Sequence, residues 1–108
     1  MKKKILIVLA DYYKDISNNL LSSALKNLPK VSQVKIINVP GVFEIPVTIS
    51  KNLNKFDAFI ALGCVIKGQT PHFDFISYSS INAIMNMSVE SKKPIGNGII
   101  TCLNMAQA

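Results

Sequence analysis

A chain of 108 residues with 49% hydrophobic content has room for one small domain with a single core. That hydrophobic share excludes general disorder, and no apolar run reaches the roughly 18–20 residues that span a bilayer. The net charge is +6, carried by 12 lysines and no arginine. Apart from Lys2–Lys4 the lysines are scattered. A solvated basic surface therefore fits better than a nucleic-acid groove, which clusters its cations and favours arginine.

The opening MKKKILIVLAD has a faint likeness to a secretory leader. Its apolar run Ile5–Ala10 is short, however, and Asp11 closes it without a small-residue cleavage site. The continuous Ile- and Val-rich run Lys4–Ala10 predicts a first strand buried on both faces, in a cytoplasmic protein. Ile16, Leu20, Leu21, Ala24, Leu25 and Leu28 recur at helical spacing, and Pro29 follows as a stop. Val34–Val39 reads as a second strand ending at Pro40-Gly41. A short helix is predicted over about 43–53, with Pro46 tolerable only in its first turn. A third strand lies within Phe56–Ile66, and a long helix runs from about Pro71 to Ser91. Pro94 then breaks the chain before a weaker fourth strand, Ile95–Thr101, which carries Gly96 and Gly98.

Alternating strands and helices predict a parallel α/β sheet in a flavodoxin-like αβα sandwich, with the simplest doubly wound order 2-1-3-4. Right-handed crossovers place the first helix on one face and the next two on the other. Much of the first face is then left bare. The expectation is a single domain over 1–108 that is C-terminally incomplete, or one whose gap a partner subunit covers.

In open α/β sheets, ligands bind beyond the strand ends where the order reverses. Here that point lies between strands 1 and 3, at Asp11-Tyr12-Tyr13 and Lys67–His72. Gly68, Gln69 and Thr70 lead into the long helix. Free amides there, with Lys67 and the Thr70 hydroxyl, suit a phosphate group, although the Walker spacing is absent. His72, the only histidine, would stand beside that anion, and an imidazole, whose unperturbed pKa is about 6.5, can give and take protons near neutrality. A helix start with an exposed histidine is the bland alternative. The glycine, the lysine and the crevice position favour the functional one.

In Val39–Pro46, VPGVFEIP, Phe43 could pack on a flat ring and Glu44 could accept hydrogen bonds from hydroxyls. A turn followed by an acid on the helix dipole explains the same residues equally well. Tyr12 has a similar choice between stacking on a ligand and closing the core. Cys64 reads as a small buried apolar residue with nothing near it to activate a thiolate, which argues against a Cys64/His72 hydrolase. Cys64 and Cys102 make no disulfide framework, and with one histidine the chain has too few soft ligands for zinc.

VPGVFEIP, followed by ALGCVIKGQTPHFDF and the late PIGNGIIT, resembles the lumazine synthase family through nearly the whole chain. The resemblance implies a flavodoxin-like homo-oligomer built on pentamers, with active sites between subunits. It implies condensation of 5-amino-6-(D-ribitylamino)uracil with 3,4-dihydroxy-2-butanone 4-phosphate to 6,7-dimethyl-8-ribityllumazine, releasing phosphate and water, in riboflavin biosynthesis. No cofactor, metal, nucleic acid or membrane is implied. By motif, Tyr12 stacks on the pyrimidine, and Val42, Phe43 and Glu44 hold the ribityl chain and ring. Cys64, Val65 and Ile66 line the pyrimidine site through their backbone. Gln69 and Thr70 bind the butanone phosphate, His72 carries protons, and Asn97 is the neighbouring subunit's contribution. The chain departs from the pattern in three places. Lys67 stands where arginine is common, Asn97 stands where phenylalanine is frequent, and the phosphate-gripping arginine of the family's C-terminal helices has no counterpart. A catalytically impaired oligomerising or ligand-binding remnant is the alternative those departures imply.

Overall fold

The computed structural model describes residues 3–28, 33–66 and 72–102, apart from the side chains of 72–76 and 102. In chain order these form β1 (Lys4–Ala10), α1 (Lys14–Lys26), β2 (Gln33–Val39), a 3-10 turn (Val42–Glu44), α2 (Ile45–Asn52), β3 (Ala58–Ile66), α3 (His72–Ser91) and β4 (Ile95–Cys102). All four strands are parallel, in the order β2-β1-β3-β4. The sequence-based order and strand positions are reproduced to within a residue or two, as is the division of helices between the faces.

β1 is buried from Ile5 to Ala10, as its unbroken apolar run requires. Alternate residues serve the two faces. Leu6, Val8 and Ala10 join Phe59, Ala61, Ile45, Ile49 and Ile84 in the larger core, under α2 and α3. Ile7 and Leu9 join Leu62 in a smaller one, closed by Leu20, Leu21, Ala24 and Leu28. Each fully buried aliphatic or aromatic side chain contributes about 1.5–3 kcal/mol relative to exposure. Among the described residues the α1 side carries the smaller of the two clusters. Register places Val34 and Ile36 of β2 beside Ile5 and Ile7 on the α1 side, and both remain exposed.

The helix ends follow elementary electrostatics and capping. α1 carries Asp15 in its first turn and Lys26 in its last, each favourable to the helix dipole. The shorter helix differs from expectation. Its first residues, Val42–Glu44, form a 3-10 turn, and α2 proper starts at Ile45, with Pro46 in the first turn where it costs no hydrogen bond. α3 stops at Lys92, the one described non-glycine residue with positive φ, 59°. This left-handed residue reverses the chain before Pro94.

Lys93 then ties the base of the fold together. Its Nζ donates to the Leu53 and Phe56 carbonyls. Its backbone N–H donates to Ser91 Oγ, and its carbonyl accepts from Ser88 Oγ. The turn between α3 and β4 is thereby fastened to the turn between α2 and β3.

At the opposite end, Gly63 is a point of close approach between elements. A Cβ built there would lie 2.8 Å from Val42 Cγ2 and 3.1 Å from Ala10 Cβ. The absent side chain lets the 3-10 turn seat directly on the ends of β1 and β3. Overpacking of this kind costs about 1–3 kcal/mol. Gly63→Ala should therefore lower the denaturation midpoint by a corresponding amount. Gly96→Ala, whose Cβ would meet only ordinary contacts at 3.8 and 3.9 Å, should shift it far less. Equal shifts in urea titrations would contradict the close-approach account.

Candidate functional site

The carboxyl ends of β1, β2 and β3 converge on one end of the sheet. β1 pairs with β3 only as far as Leu62, whereas β4 follows β3 to Ile66. From Gly63 onward β3 is therefore flanked by a strand on one side alone, and a crevice opens where the strand order reverses. The Asp11 N–H donates to the Val39 carbonyl at 3.1 Å, which binds the end of β1 to the end of β2. The Ser17 hydroxyl donates to the Ala10 carbonyl at 2.6 Å, which anchors α1 to the same point.

Tyr12 emerges from this junction 74% exposed. Its ring meets that of Tyr13 edge-on, with centroids 4.9 Å apart and planes at 81°. That arrangement is favourable for aromatic quadrupoles and leaves the other surfaces of Tyr12 open. Burial, reinforced by Tyr12 and then Cys64, pushes the Tyr13 hydroxyl above its ordinary pKa. Tyr13 consequently stays a neutral donor well into alkaline conditions.

The 3-10 turn supplies the second group. Phe43 is 62% exposed and Glu44 half-buried, while Val42 is only 5% exposed. Val42 thus sends its side chain into the core, and its carbonyl accepts a long, 3.4 Å hydrogen bond from Ser80 of α3. Val42 acts here as the anchor that presents Phe43 and Glu44. The Thr48 hydroxyl donates to the Glu44 carbonyl at 2.9 Å and steadies the start of α2. Glu44 leans back over Gly41, where a Cβ would lie 3.5 Å from its Oε1.

Beside these residues runs a groove of about 400 Å³ lined by Phe43, Glu44, Pro46, Val47, Ser80 and Ala83. The small residues of α3, Ser80 and Ala83, make room for it. The Ser79-Ser80…Ala83 spacing in the sequence was the available signal for a helix flank carrying small side chains.

Cys64 and Val65 are buried and Ile66 half-buried at the end of β3. By alternation from the Phe59–Pro94 hydrogen bond, the backbone groups of Cys64 and Ile66 turn toward the side that β1 has left, while those of Val65 turn toward β4. Asn97 sits elsewhere. It pairs in register with Ala61 and lines a separate groove of about 230 Å³ with Ile84, Met85, Val89 and Ile95, on the other flank of α3. One copy of the chain does not bring Asn97 to the Tyr12–Phe43 end. The anion cradle expected at Gln69 and Thr70, with Lys67 and Gly68, lies outside the described residues. His72 opens α3 at the end of that segment, and its side chain too lies outside them.

Among the described residues no group of three or more His, Cys, Asp or Glu gathers in a way that would hold a metal ion, and no helix is long and apolar enough to cross a membrane. The described chemistry is an exposed Tyr12 ring beyond β1, and Phe43 with the Glu44 carboxylate beside an apolar groove between α2 and α3.

Comparison with known proteins agrees with this geometry. The family model for 6,7-dimethyl-8-ribityllumazine synthase matches residues 2–108. A protein of that name from Cutibacterium acnes is 40% identical over 107 residues, covering 97% of this chain and 64% of its own length. One from Methylorubrum populi is 41% identical over 113 residues, covering 97% of this chain and 67% of its own. One from Bartonella tribocorum is 42% identical over 114 residues, covering all of this chain and 76% of its own. The chain thus spans about two thirds of the length of such relatives. With this match over nearly the whole chain, and with an all-parallel sheet in the order 2-1-3-4, the chain belongs to the 6,7-dimethyl-8-ribityllumazine synthase family.

Proposed function

We propose that this chain takes part in the reaction its family is named for. In that reaction 5-amino-6-(D-ribitylamino)uracil condenses with 3,4-dihydroxy-2-butanone 4-phosphate, forming 6,7-dimethyl-8-ribityllumazine and releasing phosphate and water. The observation that carries the reading is the reversal point of the sheet: β3 runs on past Leu62, where β1 no longer flanks it, and Tyr12 and Phe43 stand exposed just beyond the ends of β1 and β2. In this reading the Tyr12 ring stacks on the pyrimidine. Phe43 packs against it, and the Glu44 carboxylate accepts hydrogen bonds from ribityl hydroxyls. Of Cys64, Val65 and Ile66, the backbone groups of Cys64 and Ile66 supply donors and acceptors along the pyrimidine edge, while Val65 between them holds β3 to β4. Gln69 and Thr70 hold the butanone phosphate at the helix entrance.

His72 then moves protons. It accepts one as the amine attacks the ketone carbon and returns one to the departing hydroxyl as water leaves. Elimination of phosphate and ring closure need further transfers of the same kind, each within reach of one imidazole beside the phosphate. General acid–base assistance contributes about 10²–10⁴-fold, and holding two substrates together contributes much of the rest. The separate placement of Asn97 supports a site shared between copies of the chain, with a second copy's Asn97 completing the pyrimidine pocket of a pentamer-based homo-oligomer. The reaction needs no cofactor and suits a cytoplasmic enzyme.

Purified protein mixed with both substrates should form the lumazine chromophore. A rate equal to the uncatalysed background would reject the activity. His72→Ala should slow turnover by about 10²-fold or more with pyrimidine affinity nearly unchanged. Unaltered turnover in that variant would remove the proton-carrier role. Tyr12→Phe should bind the pyrimidine about as well as tyrosine does, while Tyr12→Ala should weaken binding by roughly 3–10-fold, the scale of one aromatic pair. Equal affinities in calorimetric titrations of the two variants would exclude stacking.

A further inference from the structure

The backbone of Tyr12 is tied on either side. The Asp11 N–H donates to the Val39 carbonyl at 3.1 Å, and the Tyr13 carbonyl accepts the Ser17 N–H at 2.9 Å. Ser17 is itself buried, with its hydroxyl on the Ala10 carbonyl. These bonds fix the chain at Tyr12 but not its side chain. An exposed aromatic ring has several rotamers open to it, and each aims the ring differently. A ring that is to stack on a ligand needs one of them favoured beforehand, so that binding does not carry the full cost of ordering it.

The next residue supplies the restraint. Tyr13 leads into α1 with extended backbone, φ −103° and ψ 91°, and it is half-buried where Tyr12 is exposed. On β3, Leu62 packs among the residues of α1, so Cys64 lies on the same face of the sheet by alternation. After burial and Tyr12, Cys64 is the third influence that raises the pKa of the Tyr13 hydroxyl, which places Tyr13 over that face near the end of β3. From there its ring meets the Tyr12 ring edge-on, at 4.9 Å between centroids and 81° between planes. This contact is favourable only over a limited range of mutual orientations. Whichever ring offers its edge, at least one face of Tyr12 stays clear of Tyr13.

We propose that Tyr13 is a positioning residue: its edge-on contact holds the Tyr12 ring in the orientation that stacks on the pyrimidine. The inference rests on the stacking role proposed for Tyr12 and adds to it a residue that acts through Tyr12 alone. The contact belongs to the ring of Tyr13 and not to its hydroxyl. Phenylalanine at position 13 therefore preserves it, whereas leucine keeps an apolar side chain and loses the quadrupole.

Calorimetric titration with 5-amino-6-(D-ribitylamino)uracil, together with the ring-proton signals of the ligand-free protein, tests this. Tyr13→Leu should weaken binding by about 2–10-fold, the scale of one aromatic pair, and by no more than Tyr12→Ala does. Tyr13→Phe should bind within about twofold of the unaltered protein. In a Tyr12→Ala background, Tyr13→Leu should cost nothing further, because its effect passes through the ring already removed. Without ligand, the Tyr12 ring protons should show a ring-current displacement that Tyr13→Phe keeps and Tyr13→Leu abolishes. Undisplaced Tyr12 signals in the unaltered protein would overturn the proposal without recourse to any variant. An unweakened Tyr13→Leu beside a weakened Tyr12→Ala would overturn it and leave the stacking role standing. So would a Tyr13→Leu loss that is the same with and without the Tyr12 ring, or an equal loss in Tyr13→Phe. Unchanged affinity in Tyr12→Ala would instead remove the stacking role, and this inference with it.

Discussion

The seating of the 3-10 turn on the bare backbone of Gly63 governs the rest of the structure. Val42 Cγ2 occupies space that any side chain at position 63 would need, and Ala10 Cβ lies on the other side of it. Three elements distant in sequence therefore meet within a few ångströms. Around that contact, Ser80 holds the turn to α3, and Ser17 holds the end of β1 to α1. These polar anchors use backbone carbonyls at strand ends and turns, where no ladder would otherwise satisfy them. Once Val42 is fixed in the core, the next two residues have to project at the crevice. Phe43 and Glu44 owe their positions to their buried neighbour.

Much of the architecture was legible in the sequence because it rests on short-range pattern. The apolar run of β1, the helical spacing from Ile16 to Leu28 and the alternation of elements dictate a parallel sheet, and topology leads from there to the order β2-β1-β3-β4. The common end of Tyr12, Phe43, Glu44 and Cys64–Ile66 followed from that order. What escaped depends on contacts through space. Nothing local marks Gly63 as a packing glycine, since its constraint comes from Val42 and Ala10. Nothing local separates Val42, which faces the core, from Phe43, which faces solvent. Lys92 adopts positive φ where glycine would be expected, and Lys93 reaches back to carbonyls some 40 positions earlier in the chain.

The two grooves flanking α3 connect the fold to the family assignment. One borders Phe43 and Glu44, and the other borders Asn97. α3 is apolar around much of its circumference, with Met85 and Val89 largely exposed, and helices of that character are normally covered on more than one side. A site whose groups are divided between the two flanks is most simply completed by more than one copy. This is the division of labour proposed for Asn97 and for the Tyr12–Phe43 end.

The most direct test of the central claim, that strand ends and 3-10 turn together form the pyrimidine-binding surface, is an amide chemical-shift titration with 5-amino-6-(D-ribitylamino)uracil alone. The account predicts saturable shifts concentrated at Tyr12, Phe43, Glu44 and Ile66, with the base of the fold around Lys93 unmoved. Saturable shifts confined to other surfaces, or none at concentrations that support turnover, would contradict it.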